Sequence, residues 1–217
     1  MFIMPVGAAS VSVSKSYNSF TQSAVDATAY TFSGVAIGTA ATGRRIVVGV
    51  SANNSANAVS TLTVGGVSAT LVAVIQSSGG QGELWECVLA TGTTADVVVT
   101  PTALNSACGV TMWSLYDTGG TYHDSGTSDS DTAPSVSIDI PAGGVVLAVQ
   151  GSNRSGAKVS NFTFGNIDED HETNGESNGK HAAASKLYAE AQSSLAITSG
   201  PAETMNQAGF SVASWGP

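Results

Sequence analysis

Short segments in which apolar and polar residues alternate dominate this sequence and constrain its fold more than any other feature. They are rich in Val, Ile, Thr and aromatic residues, and clusters of Gly, Asn, Asp and Pro separate them at intervals of about 8 to 15 residues. This pattern predicts an all-β protein, an antiparallel β-sandwich of jelly-roll type. The predicted strands cover residues 11–17, 30–37, 45–52, 61–64, 69–75, 83–90, 96–100, 109–116, 135–140, 145–150, 162–164, 185–191, 195–198 and 209–215.

One segment conflicts with an all-β fold. Residues 181–193 are rich in Ala and include Lys186, Glu190 and Gln192, which favour a helix by intrinsic propensity. The corresponding segment of the first half, residues 83–90, is strand-like. We therefore predict a strand here as well.

The two halves of the chain resemble each other at an offset of about 100 residues. Residues 41–48 parallel residues 141–147, and residues 62–65, 96–100 and 108–111 match 162–165, 195–198 and 208–211 in the same order. We predict one pseudo-duplicated sandwich over residues 1–217, with a first half of about 1–117 and a second half of about 118–217. The alternative is two tandem immunoglobulin-like sandwiches.

The polar part of the composition is almost uncharged. Charged residues make up 11% of the chain, against about 25% in typical domains, and Ser, Thr, Asn and Gly take their place. Such a surface suits an assembly or the outside of a cell. The net charge is −9 and the seven basic residues are scattered, so no basic patch is available to bind nucleic acid.

Neither end of the chain nor its apolar runs predict a membrane segment. The longest apolar runs, such as residues 46–50 and 145–149, are far shorter than the roughly 20 residues of a membrane helix. The opening residues Met1-Phe2-Ile3-Met4-Pro5 lack the basic and apolar regions of a signal peptide. We predict no secretion signal and no membrane partner.

Two cysteines, Cys87 and Cys108, lie in predicted strands. Because nothing places their Cα atoms within bridging range, we favour two buried thiols over a disulfide.

The acidic cluster Asp168-Glu169-Asp170-His171-Glu172, with Glu176 close behind, is the most conspicuous chemical feature. On a strand, Asp168, Asp170 and Glu172 would share a face, loosely like the paired acids of jelly-roll glycosidases. The surrounding Asn and Gly residues favour an exposed, solvated loop instead. A calcium site at Asp168, Asp170 and Glu172 is the main alternative, because carboxylate oxygens are hard ligands. The same two interpretations apply to Asp124, Asp129 and Asp131, where solvation is again favoured over a calcium site.

Other candidate sites favour structural interpretations. His123, His171 and His181 lack the short spacings of zinc ligands, so we expect free surface histidines. Residues 79–82 form a Gly-rich segment without a following Lys, which predicts a hairpin tip rather than a phosphate loop. Trp85, Trp113 and Trp215 could stack on sugars, but core or interface packing is favoured. We predict no enzyme and no cofactor.

Several strand and turn motifs resemble a recurrent class of tailed-bacteriophage structural proteins. They are Tyr30-Thr31-Phe32-Ser33-Gly34-Val35-Ala36-Ile37-Gly38, Arg44-Arg45-Ile46-Val47-Val48-Gly49-Val50, Thr63-Val64-Gly65-Gly66-Val67-Ser68-Ala69-Thr70, Thr91-Gly92-Thr93-Thr94-Ala95-Asp96-Val97-Val98-Val99 and Ala213-Ser214-Trp215-Gly216. The similarity covers residues 27–217. These motifs consist of residues typical of strands and turns, and they do not indicate an active site.

The resemblance implies a non-enzymatic β-sandwich on the virion surface, as a head decoration protein, head fibre or tail-associated module. Its expected partners are capsid or tail subunits and further copies of itself, through polar faces and strand edges. Its expected location is the virion, after assembly in the host cytoplasm. The alternative function is a glycan-binding adhesion module that contacts the host cell surface.

Overall fold

The computed structural model describes residues 11–52, 58–76, 80–105, 107–129, 133–153, 162–174, 179–201 and 208–217. These residues form strands and turns, and no helix occurs among them, which confirms the all-β prediction. The first half contains β1 (Ser14–Ser23), β2 (Tyr30–Ala36), β3 (Arg45–Ala52), β4 (Val59–Val64), β5 (Val67–Ser68), β6 (Thr70–Gln76), β7 (Gln81–Val88), β8 (Thr94–Pro101) and β9 (Cys108–Tyr116). The second half contains β10 (Asp124–Ser128), β11 (Ser135–Ile140), β12 (Gly144–Asn153), β13 (Phe162–Gly165), β14 (Asp168–Asn174), β15 (Gly179–Tyr188), β16 (Gln192–Pro201) and β17 (Ala208–Trp215).

The strands pair antiparallel into four sheets. Sheet I has the order β1-β9-β3-β7-β6, and sheet II has the order β2-β8-β4-β5. Sheet III has the order β10-β17-β12-β15-β14, and sheet IV has the order β11-β16-β13. Sheet III therefore repeats the strand order of sheet I, and sheet IV repeats that of sheet II without the short β5.

Three apolar cores hold the four sheets in a stack. The first core lies between sheets II and I and includes Leu62, Trp85 and Val97. The second lies between sheets I and III and includes Trp113 and Trp215. The third lies between sheets III and IV. Sheets I and III are thus the two inner layers, and the jelly-roll connectivity, the immunoglobulin-like alternative and the assignment of residues 1–217 to one domain stay predictions.

The central strands of the inner layers are covered on both faces. Every residue of β3 is buried, because one face packs toward sheet II and the other toward sheet III. A strand covered on both sides has a nearly continuous apolar sequence, which is what Ile46-Val47-Val48 and Val145-Val146-Leu147 supply. At the start of both strands a glycine turns the chain, with φ of 73° at Gly43 and 72° at Gly143, where an L side chain would be strained.

Most predicted strands are present, and three strands were missed. The segment at residues 181–193 forms most of β15, so the strand prediction is confirmed there. Gly65 and Gly66 form the tight hairpin between β4 and β5, with φ of 57° and 78°. The missed strands are β5, β10 and β14. The prediction of an acidic loop is wrong at Asp168–Asn174, which pairs with β15 as an edge strand.

Candidate functional site

Two tryptophans link the inner sheets in a reciprocal way. Trp113, in β9 of the first half, donates its indole N–H to Asp170 Oδ2 of the second half at 2.8 Å. Trp215, in β17 of the second half, donates to Glu86 Oε2 of the first half at 2.7 Å. Both indoles are fully buried, so the prediction that the tryptophans serve core or interface packing is confirmed.

Each of these carboxylates also has a basic partner. Arg45 Nη1 lies 2.9 Å from Glu86 Oε2, and Lys15 Nζ lies 3.7 Å from Asp170 Oδ1. Ser185 donates to Asp170 as well and accepts from Lys15 at 2.5 Å. A buried carboxylate is tolerated only when charged or hydrogen-bonding groups surround it. These groups therefore form two inter-sheet anchors.

Glycines let the inner sheets approach closely at one end of the stack. A Cβ placed on Gly82 would lie 2.7 Å from the carbonyl oxygen of Gly209, and one on Gly209 would lie 2.7 Å from that of Gly80. Gly80 directly precedes β7 in the β6–β7 hairpin, as predicted, but it is buried against sheet III. Gly82 lies within β7 rather than at the hairpin tip, and Gly79 lies outside the described residues. Backbone-to-backbone contact of this kind is available only to glycine.

Two histidines lie between the inner sheets beside this contact. His181 is 2% exposed and its Nδ1 hydrogen-bonds to Ser51 Oγ of sheet I. His171 is stacked on Phe20, with 4.1 Å between ring centroids. Burial, followed by the nearby His171, lowers the pKa of His181 to about 4. Burial also lowers the pKa of His171, against the opposing influence of Glu172. The prediction of surface histidines is wrong for both, and only His123 is exposed.

A buried carboxylate lies inside the first half. Glu83 accepts hydrogen bonds from the backbone N–H of Val59 at 2.9 Å, from Trp85 Nε1 at 2.6 Å and from Gln81 Nε2. Burial raises the pKa of Glu83, and the three donors partly oppose that rise. Three hydrogen bonds satisfy the carboxylate, which gives Glu83 a structural role in closing this end of the core.

A buried basic residue, Arg44, lies at the other end of the first half. Its guanidinium is fully buried and donates to the backbone carbonyls of Ile37, Gly38, Leu89, Thr91 and Gly92. It fastens the turns before β3 and β8 to each other. Gly144 takes the corresponding place in the second half, so this fastening belongs to one half only.

The three residues of the predicted calcium site contact different lysines. Asp168 Oδ1 lies 3.4 Å from Lys186 Nζ, Asp170 contacts Lys15, and Glu172 forms an ion pair with Lys180. Asp170 contacts sheet I, whereas Glu172 also accepts the backbone N–H of Phe162 at 2.9 Å. Within the described ranges, no group of three His, Cys, Asp or Glu residues is placed to hold a metal ion.

The remaining acidic candidates cap local backbone. Asp124 accepts the backbone N–H groups of Ser125 and Asp139, each at 2.8 Å. Asp129 is exposed directly after β10, and Asp131 and Glu176 lie outside the described residues. Cys87 and Cys108 are both buried free thiols, as predicted.

One hydrolase-like pattern escaped sequence reasoning. Residues 175–179 read Gly-x-Ser-x-Gly, and Ser177 lies outside the described residues. The segment connects β14 to the antiparallel β15. The nucleophile elbow of α/β-hydrolases requires a strand-to-helix turn, so the context of this pattern is different.

No other sheet of the described structure covers the outer faces of sheets II and IV. Cross-strand rows on them consist of Thr31, Val98, Thr63 and Ser68 in sheet II and of Ser135, Thr198 and Gly165 in sheet IV. Each sheet contains one charged residue, Asp96 or Asp139, which accepts a backbone N–H of Gly34 or Ser194. Both faces therefore offer hydroxyl groups and small apolar groups.

The described basic residues are all engaged within the chain. Lys15, Arg45, Lys180 and Lys186 form ion pairs with carboxylates, and Arg44 binds carbonyls. Arg154 and Lys158 lie outside the described residues. The described surface consequently presents hydroxyls and carboxylates rather than unpaired cations.

Comparison with known proteins identifies no relative. No protein-family model, no curated protein and no solved structure matches the chain. No helix among the described residues is long and apolar enough to span a membrane.

Proposed function

We propose that the chain is a non-enzymatic structural protein on the surface of a tailed-phage virion, as a capsid decoration or a fibre- or tail-associated module. It acts through contacts with other virion proteins and with copies of itself. The strand and turn motifs quoted above support this location, because they resemble those of phage structural proteins. The virion origin also accounts for the extracellular character of the surface.

The observation that carries the assembly role is the way the chain uses its charges. Five basic residues are engaged inside the described structure, and the two outer sheets expose Ser and Thr with a single aspartate each. Hydroxyl-rich faces pack against a protein surface with little desolvation of charge, which favours protein–protein contact. A phosphate backbone would need exposed cations instead.

The direct test is to look for the chain in purified particles. Virions from a lysate are purified on a density gradient, and the chain is quantified by mass spectrometry and located by cryo-electron microscopy. We expect a fixed copy number per particle that persists through the gradient, with a host cytoplasmic protein as the control for carry-over. Absence of the chain from intact particles refutes the proposal.

A second candidate function is glycan binding, which one surface feature favours. A shallow depression between the connector to β10 and the C-terminus is lined by Gly119, Gly120, Tyr122, His123 and Pro141. Tyr122 is 37% exposed, and an exposed aromatic ring beside polar backbone is the kind of platform on which sugars stack. On a glycan array, saturable binding that Tyr122→Ala abolishes would favour this function over pure assembly.

A further inference from the structure

The edge strands β6 and β14 are equivalent in the two halves. Thr70 of β6 pairs with Glu86, and Asp168 of β14 pairs with Ser185. The register then shifts at the third residue of each strand, between Leu71 and Ala73 in β6 and between Glu169 and His171 in β14. From this shift onward, both strands continue in register to the seventh residue. The equivalence is therefore residue by residue.

The chemistry of the two edges is opposite. The sequence of β14 is Asp-Glu-Asp-His-Glu-Thr-Asn, and that of β6 is Thr-Leu-Val-Ala-Val-Ile-Gln. Charges on an edge strand prevent another chain from pairing with it, whereas a long apolar edge invites pairing. The second half of the chain therefore has a charged, protected edge at this position, and the first half has an uncharged edge without that protection.

The outer side of β6 is open in the part of the chain that the structure describes. Within that part, β6 pairs with β7 alone and ends sheet I. Leu71 is 39% exposed, and Thr70 is exposed as well, although Val72 and Ala73 pack into the core between the inner sheets. A strand that is anchored by its inner residues and open at its edge is a preformed template for β-sheet extension.

We propose that β6 pairs antiparallel with β6 of a second copy of this chain, so that sheet I continues across a twofold axis. A twofold interface brings the same surface of each copy together, so the surface must be complementary to itself. An uncharged strand meets this condition, because apolar residues face apolar residues in either direction. The acidic β14 does not, since like charges would lie opposite each other.

The placement of the acidic strand keeps its charges away from the β6 edge. His171 of β14 stacks on Phe20 of β1, at the end of sheet I that is opposite β6. Two chains of net charge −9 repel each other, and the β6 edge keeps their acidic flanks apart. The proposal names the edge through which copies of the chain associate. It rests on the proposed function only for the purpose of that association.

The test compares two substitutions that add the same charge. Leu71→Glu places at β6 the residue that the equivalent position of β14 already carries, Glu169. Thr61→Glu adds a carboxylate to an exposed position of the interior strand β4 and serves as the matched control. Sedimentation equilibrium at micromolar concentrations should give a dimer for the wild type and for Thr61→Glu, and a monomer for Leu71→Glu with unchanged circular dichroism.

A second variant and a second readout guard against misfolding. Thr70→Asp copies Asp168 at an exposed position and should also give a monomer. Hydrogen exchange of the β6 amides should slow as wild-type concentration rises, while the β14 amides stay unchanged. A wild type that remains monomeric, or a dimer that persists in both β6 variants, overturns the strand pairing. Either result leaves the presence of the chain in virions to be decided by the particle experiment.

Discussion

Trp215 Nε1 lies 2.7 Å from Glu86 Oε2, and this hydrogen bond joins the last strand of the chain to β7 of the first half. Glu86 is 4% exposed and also contacts Arg45, so the carboxylate has exchanged water for two protein donors. Trp113 and Asp170 repeat the arrangement in the opposite direction. The halves are thus held together by directional contacts as well as by apolar packing.

Replacing Trp215 by Phe should weaken the stack measurably. The change leaves Glu86 without its indole donor, and losing a hydrogen bond to a buried charged group costs about 1–3 kcal/mol of unfolding free energy. Urea denaturation monitored by circular dichroism measures this cost. Because Phe is also smaller than Trp, Glu86→Gln and the double variant complete a mutant cycle. A coupling energy of zero would show that the hydrogen bond contributes nothing.

The close approach at Gly82 predicts a strong effect of one methyl group. Gly82→Ala places a Cβ 2.7 Å from the carbonyl oxygen of Gly209, so the inner sheets must separate locally, at a cost of about 1–3 kcal/mol. Gly120→Ala is the matched control, since its Cβ would have no other atom within 4 Å and should change stability by less than about 0.5 kcal/mol. Equal melting temperatures for the two variants would contradict the packing of sheet I on sheet III.

Acid should destabilise the chain through His181. The folded state holds this imidazole neutral, because burial lowers its pKa from 6.5 to about 4, whereas the unfolded chain takes up a proton near 6.5. The unfolded state therefore binds more protons below pH 6.5, and the stabilising contribution is lost as the pH falls toward 4. Urea midpoints measured across this interval should fall for the wild type.

Two histidine variants are compared to assign the pH dependence. His181→Gln should flatten part of the fall in the urea midpoint, because the glutamine does not titrate. His123→Gln, at an exposed position, is the reference variant against which the pH profile of His181→Gln is compared. If His181→Gln keeps the full wild-type slope, His181 is not the group that the folded state holds neutral.

Arg44 should be among the residues least tolerant of substitution. Its guanidinium donates to five backbone carbonyls, and Arg44→Met removes all five hydrogen bonds, although the Ile37 carbonyl still accepts from Ser114 Oγ. We expect a cost of about 3–5 kcal/mol of unfolding free energy. Lys186→Met removes an exposed ion pair with Asp168 and should cost less than about 1 kcal/mol. Chemical denaturation of both variants checks the difference, and comparable losses would argue against the buried role of Arg44.

The two thiols should be inert until the chain unfolds. Burial raises the pKa of Cys87 to about 11 and raises that of Cys108 as well, so neither is a thiolate near neutral pH. Both are buried as free cysteines. A thiol-reactive chromophore should label neither residue in native buffer and both in urea. Rapid native labelling of Cys108 would contradict its place in the first core.

Local patterns predicted the strands, and they failed where two distant segments meet. The Ala-rich β15 was assigned correctly because its counterpart in the first half, β7, has strand-like residues. Strand β14 was missed because Asp and Glu are depleted in most strands and typical of loops. A period-two pattern also indicates which residues of a strand share a face, but it does not indicate that a second sheet will cover the outward face. His181 was therefore expected at the surface, although the stack buries it.

One sequence signal could have indicated the stack. A strand with one wet face alternates, whereas Ile46-Val47-Val48 and Val145-Val146-Leu147 are apolar at consecutive positions, as strands covered on both faces require. The partners of Glu86 and Asp170 gave no such signal. Each carboxylate meets a tryptophan from the other half of the chain, and nothing local to either residue identifies that partner.

The burial of basic side chains also limits cleavage of the folded chain by trypsin-like proteases. Trypsin-like proteases must draw an exposed Lys or Arg into an extended segment, but Arg44, Arg45 and Lys180 are buried in strands or at their starts. Cleavage at these three positions requires the strand to leave its sheet first. While the chain stays folded, these three sites are therefore protected from tryptic cleavage.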